Sequence, residues 1–201
     1  MKPKGRHFLI FLLLLVHCKE PQQTESKQES PALDTVIPKQ EKVQPSYAIQ
    51  STSEQTAANL KNFFTQDFLK DDLSYLSDFE RQFQFFEIDL NDDGKKEIFV
   101  RFFGPYFCGS GGCSFLLLDS YGEIITHFSV TRAPFFIEKV KKNGWSILLV
   151  KDAGVFKELT FKNGSYDNNP SLLEKAPYDA PSGHAIVVFD DENFPSKTFS
   201  F

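Results

Sequence analysis

"FFIEKVKKNGWSILLV", residues 135–150, is two apolar-rich runs around Asn143-Gly144. Asn and Gly both accept positive φ, so the pair predicts a tight turn whose twist matches the strands on either side. The same device recurs in "VFKELTFKNGSY", residues 155–166, at Asn163-Gly164. "SFLLLDSYGEIITHFSV", residues 114–130, predicts two more strands joined near Ser120 to Gly122. Upstream, Ile98, Val100 and Phe102 alternate with Phe99, Arg101 and Phe103, the period of a strand. No segment repeats at a fixed period, which argues against a propeller.

Residues 52–80 read as helix. Thr52 with Gln55, or Ser53 with Thr56, suits its start. Leu60, Phe63, Phe64, Asp67 and Phe68 follow helical spacing, and a second short helix is expected at Leu73, Leu76 and Phe79. The fold class is therefore α+β, mostly β. A helical N-terminal segment should pack on an antiparallel meander of about six to eight strands. Trp145 is expected in the core. Arg101 and Arg132 read as isolated, and Asp190, Asp191 and Glu192 as a solvated turn after "AIVVF".

Ahead of this domain the composition changes twice. Lys2, Lys4 and Arg6 precede an apolar run from Phe8 to Val16, the pattern of an export signal. The run is far shorter than the roughly 20 residues of a spanning helix. Leu15-Val16-His17-Cys18 resembles the lipobox of bacterial lipoproteins, although His17 stands where that family has Gly, Ala or Ser. The resemblance implies a lipid on Cys18. An ordinary cleaved secretion signal is the alternative. Residues 19–50 are rich in Gln, Glu, Ser, Lys and Pro, with Tyr47 the only aromatic. Such a segment buries too little apolar surface to order itself. It reads as a tether with a reach on the order of 30 Å. Residues 51–201 form the single globular domain.

The whole chain carries −5. The export segment holds three positive and no acidic side chains, so the remainder is more acidic still. Nucleic acid is not an expected partner, and membrane contact is expected through the lipid anchor alone.

Two stretches carry candidate chemistry. In "DLNDDGKKEIFV", residues 89–100, Asp89, Asn91, Asp93, Lys95 and Glu97 occupy alternate positions around Gly94. Carboxylate and amide oxygens at such spacing can converge on a hard cation, with Lys95 contributing its backbone carbonyl. The spacing resembles D-x-[DN]-x-D-G-x-x-[DE], the calcium loop of FG-GAP and VCBS-type repeats. It is not an EF-hand, because Val100 stands where that motif needs Glu. The implied cofactor is a structural calcium. The alternative is a bare turn on Asp93-Gly94 with solvated acids.

The second stretch is "YFCGSGGCSF", residues 106–115. Exported thiols usually pair. With Cys18 acylated, Cys108 and Cys113 are left to bond to each other, a stabilisation of roughly 2 kcal/mol for so small a loop. Gly109, Gly111 and Gly112 are expected to supply the unusual φ values of the ring. A redox pair, a zinc site with His127 and His184, a protease-like Ser110 and an anion-binding nest are the other readings. Taken together, "DLNDDGKKE", "YFCGSGGC", "NGW" and "GSYDNNPS" resemble a group of uncharacterised bacterial envelope proteins over about residues 83–171. No activity is implied by that resemblance. The expected function is a non-enzymatic, lipid-anchored envelope protein that binds a protein or glycan. An inhibitor of an envelope hydrolase such as lysozyme and a metal-assisted hydrolase are the alternatives.

Overall fold

The computed structural model describes residues 46–50 and 52–201. The export segment, Cys18 and all of the tether before Ser46 lie outside them. The strands are β1 (Ser46–Tyr47), β2 (Gln82–Ile88), β3 (Glu97–Phe102), β4 (Cys108–Gly109), β5 (Gly112–Leu118), β6 (Ile124–Thr131) and β7 (Phe135–Lys142). They continue as β8 (Trp145–Asp152), β9 (Val155–Leu159), β10 (Phe161–Lys162), β11 (Ser165–Tyr166), β12 (Ile186–Val188) and β13 (Phe199–Ser200). One helix, α1 (Glu54–Phe63), precedes the long strands.

The described residues are mostly β with one short α-helix, the expected class, but the meander is divided. One large sheet runs β13-β2-β3-β5, with β4 and β6 both pairing to β5; a second runs β1-β12-β7-β8-β9, and β10 and β11 form a separate two-stranded ribbon. All pairs are antiparallel except β1–β12. The reason for two large sheets lies in β2, β3 and β5, which are apolar on both faces and need cover on both. Phe86, Phe99, Phe115 and Leu117 pack against Phe135, Ile137, Leu148 and Val150 of the second sheet. Phe83, Phe85, Val100, Phe102, Leu116 and Leu118 face the helix side. The expected alternation in β3 is thus real: Ile98, Val100 and Phe102 belong to the helix-side core and Phe99 to the core between the sheets.

Ser53 caps α1, its side chain accepting the N–H of Thr56. The helix docks through Phe64, whose ring meets Phe83, Phe102 and Phe201 edge-on at 5.2, 5.0 and 5.3 Å. Just past Phe63 the helix widens by one residue per turn over Phe64–Phe68, with the Leu69 N–H reaching the Phe64 carbonyl. The expected second helix is only a 3-10 turn, Leu73–Tyr75. Ser77 ends it: its N–H and hydroxyl are both taken by Glu80 Oε2, and Phe79 is left 55% exposed.

Asn143 (φ 56°) with Gly144 (φ 81°) turns β7 into β8, and Asn163 (φ 55°) with Gly164 (φ 87°) turns β10 into β11, as expected. Trp145 is half-buried and stacks on Phe161 at 4.1 Å. Three details differ from the reading of the sequence. Ser46 and Tyr47, assigned by composition to the tether, pair with Ile186 and Val187. Arg101 is not isolated, because it forms an ion pair with Asp191. Asp190 is likewise engaged, accepting from Tyr47 Oη at 3.1 Å and Asn193 Nδ2 at 2.9 Å. Pairings this distant in sequence leave no local pattern to read.

Candidate functional site

The acidic loop connects β2 to β3, and Ile88 faces Glu97 at its neck. Its carboxylates are met by backbone N–H groups. Asp89 Oδ1 accepts from Asn91 at 3.2 Å and Asp92 at 2.7 Å, and Oδ2 accepts from Gly94 at 3.0 Å. Asn91 Oδ1 accepts from Asp93 at 2.9 Å, and Asp93 Oδ1 from Lys95 at 2.8 Å. Asp92 and Gly94 hold φ of 62° and 82°, which winds the loop around Asp89. A Cβ on Gly94 would meet nothing within 4 Å, so the glycine serves backbone conformation rather than space.

Electrostatics divide the acids. Burial raises the proton affinity of Asp89, but the N–H groups of Gly94, Asp92, Asn91 and Asp93 outweigh it and hold its pKa below the usual value. Glu97 goes the other way. Burial pushes it up, and the charges of Asp93 and Asp89 add to this against the opposing N–H of Leu90. Lys141 on β7 brings an ammonium to Asp92 Oδ2 at 2.5 Å. The exposed Lys95 side chain donates to Tyr121 Oη at 3.0 Å.

The donor set is all oxygen, which suits a hard cation, and an oxygen that accepts one N–H keeps a second lone pair. Among the described residues, however, no three acidic, imidazole or thiol side chains gather closely enough to hold a metal ion. The hydrogen bonds above suffice to close the loop.

Cys108 and Cys113 are disulfide-bonded and sit opposite each other in the β4–β5 pair, with Cα atoms 3.9 Å apart. Both sulfurs are therefore spent, which overturns the zinc reading. Of the three ring glycines only Gly112 has the expected unusual φ, 144°. A Cβ there would lie 2.6 Å from the Thr131 nitrogen, and one on Gly111 would lie 2.8 Å from Val130 Cγ1. The glycines let β6 cross close over the ring, while Gly109 meets nothing. Arg132, expected to be isolated, donates to the Ser110 carbonyl. His127 contacts Phe68 edge-on at 5.6 Å from an exposed strand position.

Among the described residues a cleft of about 730 Å³ opens at a place that the sequence did not mark. One wall is α1 with its continuation, presenting Asn59, Phe63 and Asp67. The other is the turn between β5 and β6, with Tyr121 and Glu123. Asp119 fixes that turn, its Oδ1 accepting from Tyr121 at 2.8 Å and Glu123 at 2.9 Å. Tyr121 stands 78% exposed. Glu87 lies in the cleft and accepts from Thr56 Oγ1 at 3.1 Å. The four-residue spacing of Asn59, Phe63 and Asp67 is the signal that marks this helix face. The opposing wall has none, because it comes from a turn more than fifty residues away.

No protein-family model, no curated protein and no solved structure matches this chain.

Proposed function

We propose that the chain is a non-enzymatic, lipid-anchored protein of a bacterial envelope, and that its disulfide-bonded domain binds a protein or glycan through the α1 cleft. The observation that carries this reading is the cleft itself. It pairs apolar with polar lining residues and offers hydrogen-bonding groups from α1 on one wall and from the turn between β5 and β6 on the other. Export and anchoring rest on the opening residues and on Cys18. Calcium is part of the proposal: Asp89, Asn91, Asp93, the Lys95 carbonyl and Glu97 would hold it, and its role is structural. A bound cation would offset the repulsion that Asp93 and Asp89 exert on Glu97.

The test is cross-linking capture from an envelope extract, comparing the full wild-type chain with Asn59→Trp, which fills the cleft from an exposed helix position. A partner identified by mass spectrometry with wild type and absent with Asn59→Trp is the expected result. Identical capture by both removes the cleft from the proposal. The anchor is tested separately by labelling with a palmitate analogue, which Cys18→Ser should abolish.

A further inference from the structure

Within the cleft, the floor and rim differ in chemistry. The apolar surface open to the cleft comes from exposed Ile124 and half-buried Ile98 and Phe63, above Leu60 and Leu118, which the core already buries; together they give its apolar floor. The rim carries Asp67, Glu87 and Glu123 against a single cation, Lys96. The carboxylates of Asp67 and Glu123 have no side-chain or backbone partner among the described residues, and both are exposed. Their charge is therefore not spent inside the fold. Tyr121, the aromatic on the rim, is already occupied: Lys95 Nζ bonds its hydroxyl and lies 5.0 Å from its ring centroid. A sugar ring stacks on an open aromatic face, and here that face is shared with an ammonium.

We propose that the cleft takes an extended peptide segment of a partner protein in which basic and apolar residues alternate. The inference rests on the reading of the cleft as the binding site and names the class of its ligand. In an extended chain successive side chains point to opposite sides, about 3.3 Å apart along the strand. Apolar residues then enter the apolar floor while Lys or Arg residues turn to the rim. There they meet Asp67 from the helix wall and Glu123 from the turn wall. Because both acids are solvated, they contribute charge selection and encounter rate more than raw affinity, while the floor supplies the apolar burial. Lys96 sets a limit on the pattern, since a basic residue beside it would be repelled.

The experiment uses the full chain and three probes: a fluorescein-labelled decapeptide of alternating Lys and Leu, the matched Glu and Leu decapeptide, and a neutral chitin hexasaccharide. Anisotropy titrations should show saturable binding of the Lys–Leu peptide, weakened by added salt, and much weaker binding of the Glu–Leu peptide. The double variant Asp67→Asn with Glu123→Gln should lose roughly tenfold in affinity for the Lys–Leu peptide. Its melting temperature should match wild type, because neither side chain has a partner to lose. Asn59→Trp should block the peptide. Equal affinity of wild type and double variant for the Lys–Leu peptide overturns the inference, and so does the absence of saturable binding. If the hexasaccharide binds instead and Asn59→Trp blocks it, the ligand class is wrong and the cleft reading stands. If no probe binds and Asn59→Trp still captures the envelope partner, both fall.

Discussion

Glu97 Oε2 accepts the backbone N–H of Leu90 at 2.8 Å, bridging the neck of the acidic loop from one strand to the other. Leu90 is fully buried, and its carbonyl accepts the N–H of Ser146 from the second sheet at 2.8 Å. Tyr166 Oη in turn donates to the Ser146 carbonyl at 2.7 Å. One carboxylate thus ties the loop, through a single backbone unit, to both layers of the sandwich.

Removing that carboxylate strands a buried donor. Glu97→Ala should lower unfolding stability by about 1–3 kcal/mol in urea titrations. Glu97→Gln keeps an acceptor oxygen and removes the repulsion from Asp93 and Asp89, so it should stay much closer to wild type. Equal losses in the two variants would mean that the Leu90 bond contributes nothing specific.

Millimolar calcium should raise the melting temperature of the full chain by about 5 °C if it binds at a hundredfold excess over its Kd. Asp93→Ala should abolish the shift at little cost in chelator. The measurement is a melting series in calcium, magnesium and EDTA. Identical melting of the wild type in all three would leave the loop closed by its own N–H groups alone.

The ring glycines are not equivalent. Gly112→Ala places a Cβ against the Thr131 backbone at a φ of 144°, and should cost about 1–3 kcal/mol by thermal melting. Gly109→Ala meets open space and should change stability by a few tenths at most. Similar losses at both positions would locate the strain in the disulfide loop rather than in the crossing of β6.

Phe64 holds the helix layer to the sheet. Phe64→Ala should cost about 3–5 kcal/mol, a typical loss for a fully buried aromatic. Phe63→Ala, at a half-buried position on the cleft wall, should cost clearly less. Helix loss without global unfolding in Phe64→Ala, seen by amide exchange in α1, would show that the helix docks as a separate unit.

Asp167 gives a pH signature. Burial raises its pKa, but the Lys162 ammonium and the N–H and hydroxyl of Thr160 outweigh it and hold it below the ordinary aspartate value. A depressed folded-state pKa stabilises the fold above the ordinary value and loses that contribution as pH falls below it. The advantage of wild type over Asp167→Asn should be complete above about pH 5 and shrink through the acid range. A pH-independent difference would remove the assignment.

What the sequence determined about this protein is local. Asn143-Gly144 and Asn163-Gly164 dictate their hairpins because few other residue pairs tolerate two positive φ values in succession. The period-two pattern of β3 assigned side chains to faces before any partner strand was known. The cap at Ser53 was one of two offered by the residues themselves, and the pairing of Cys108 with Cys113 followed from counting thiols. Tertiary structure decided the rest. It laid the long strands into two large sheets, since apolar faces on both sides of β2, β3 and β5 require two covers and the short helix supplies one. It put Arg101 on Asp191, ninety residues away, and drew Ser46–Tyr47 onto β12. It also made the cleft, whose walls come from segments with no common sequence pattern. Turn chemistry and periodicity act over a few residues and can be read along the chain. Which surfaces meet depends on burial summed over the whole fold, and that is settled only when the layers close on one another.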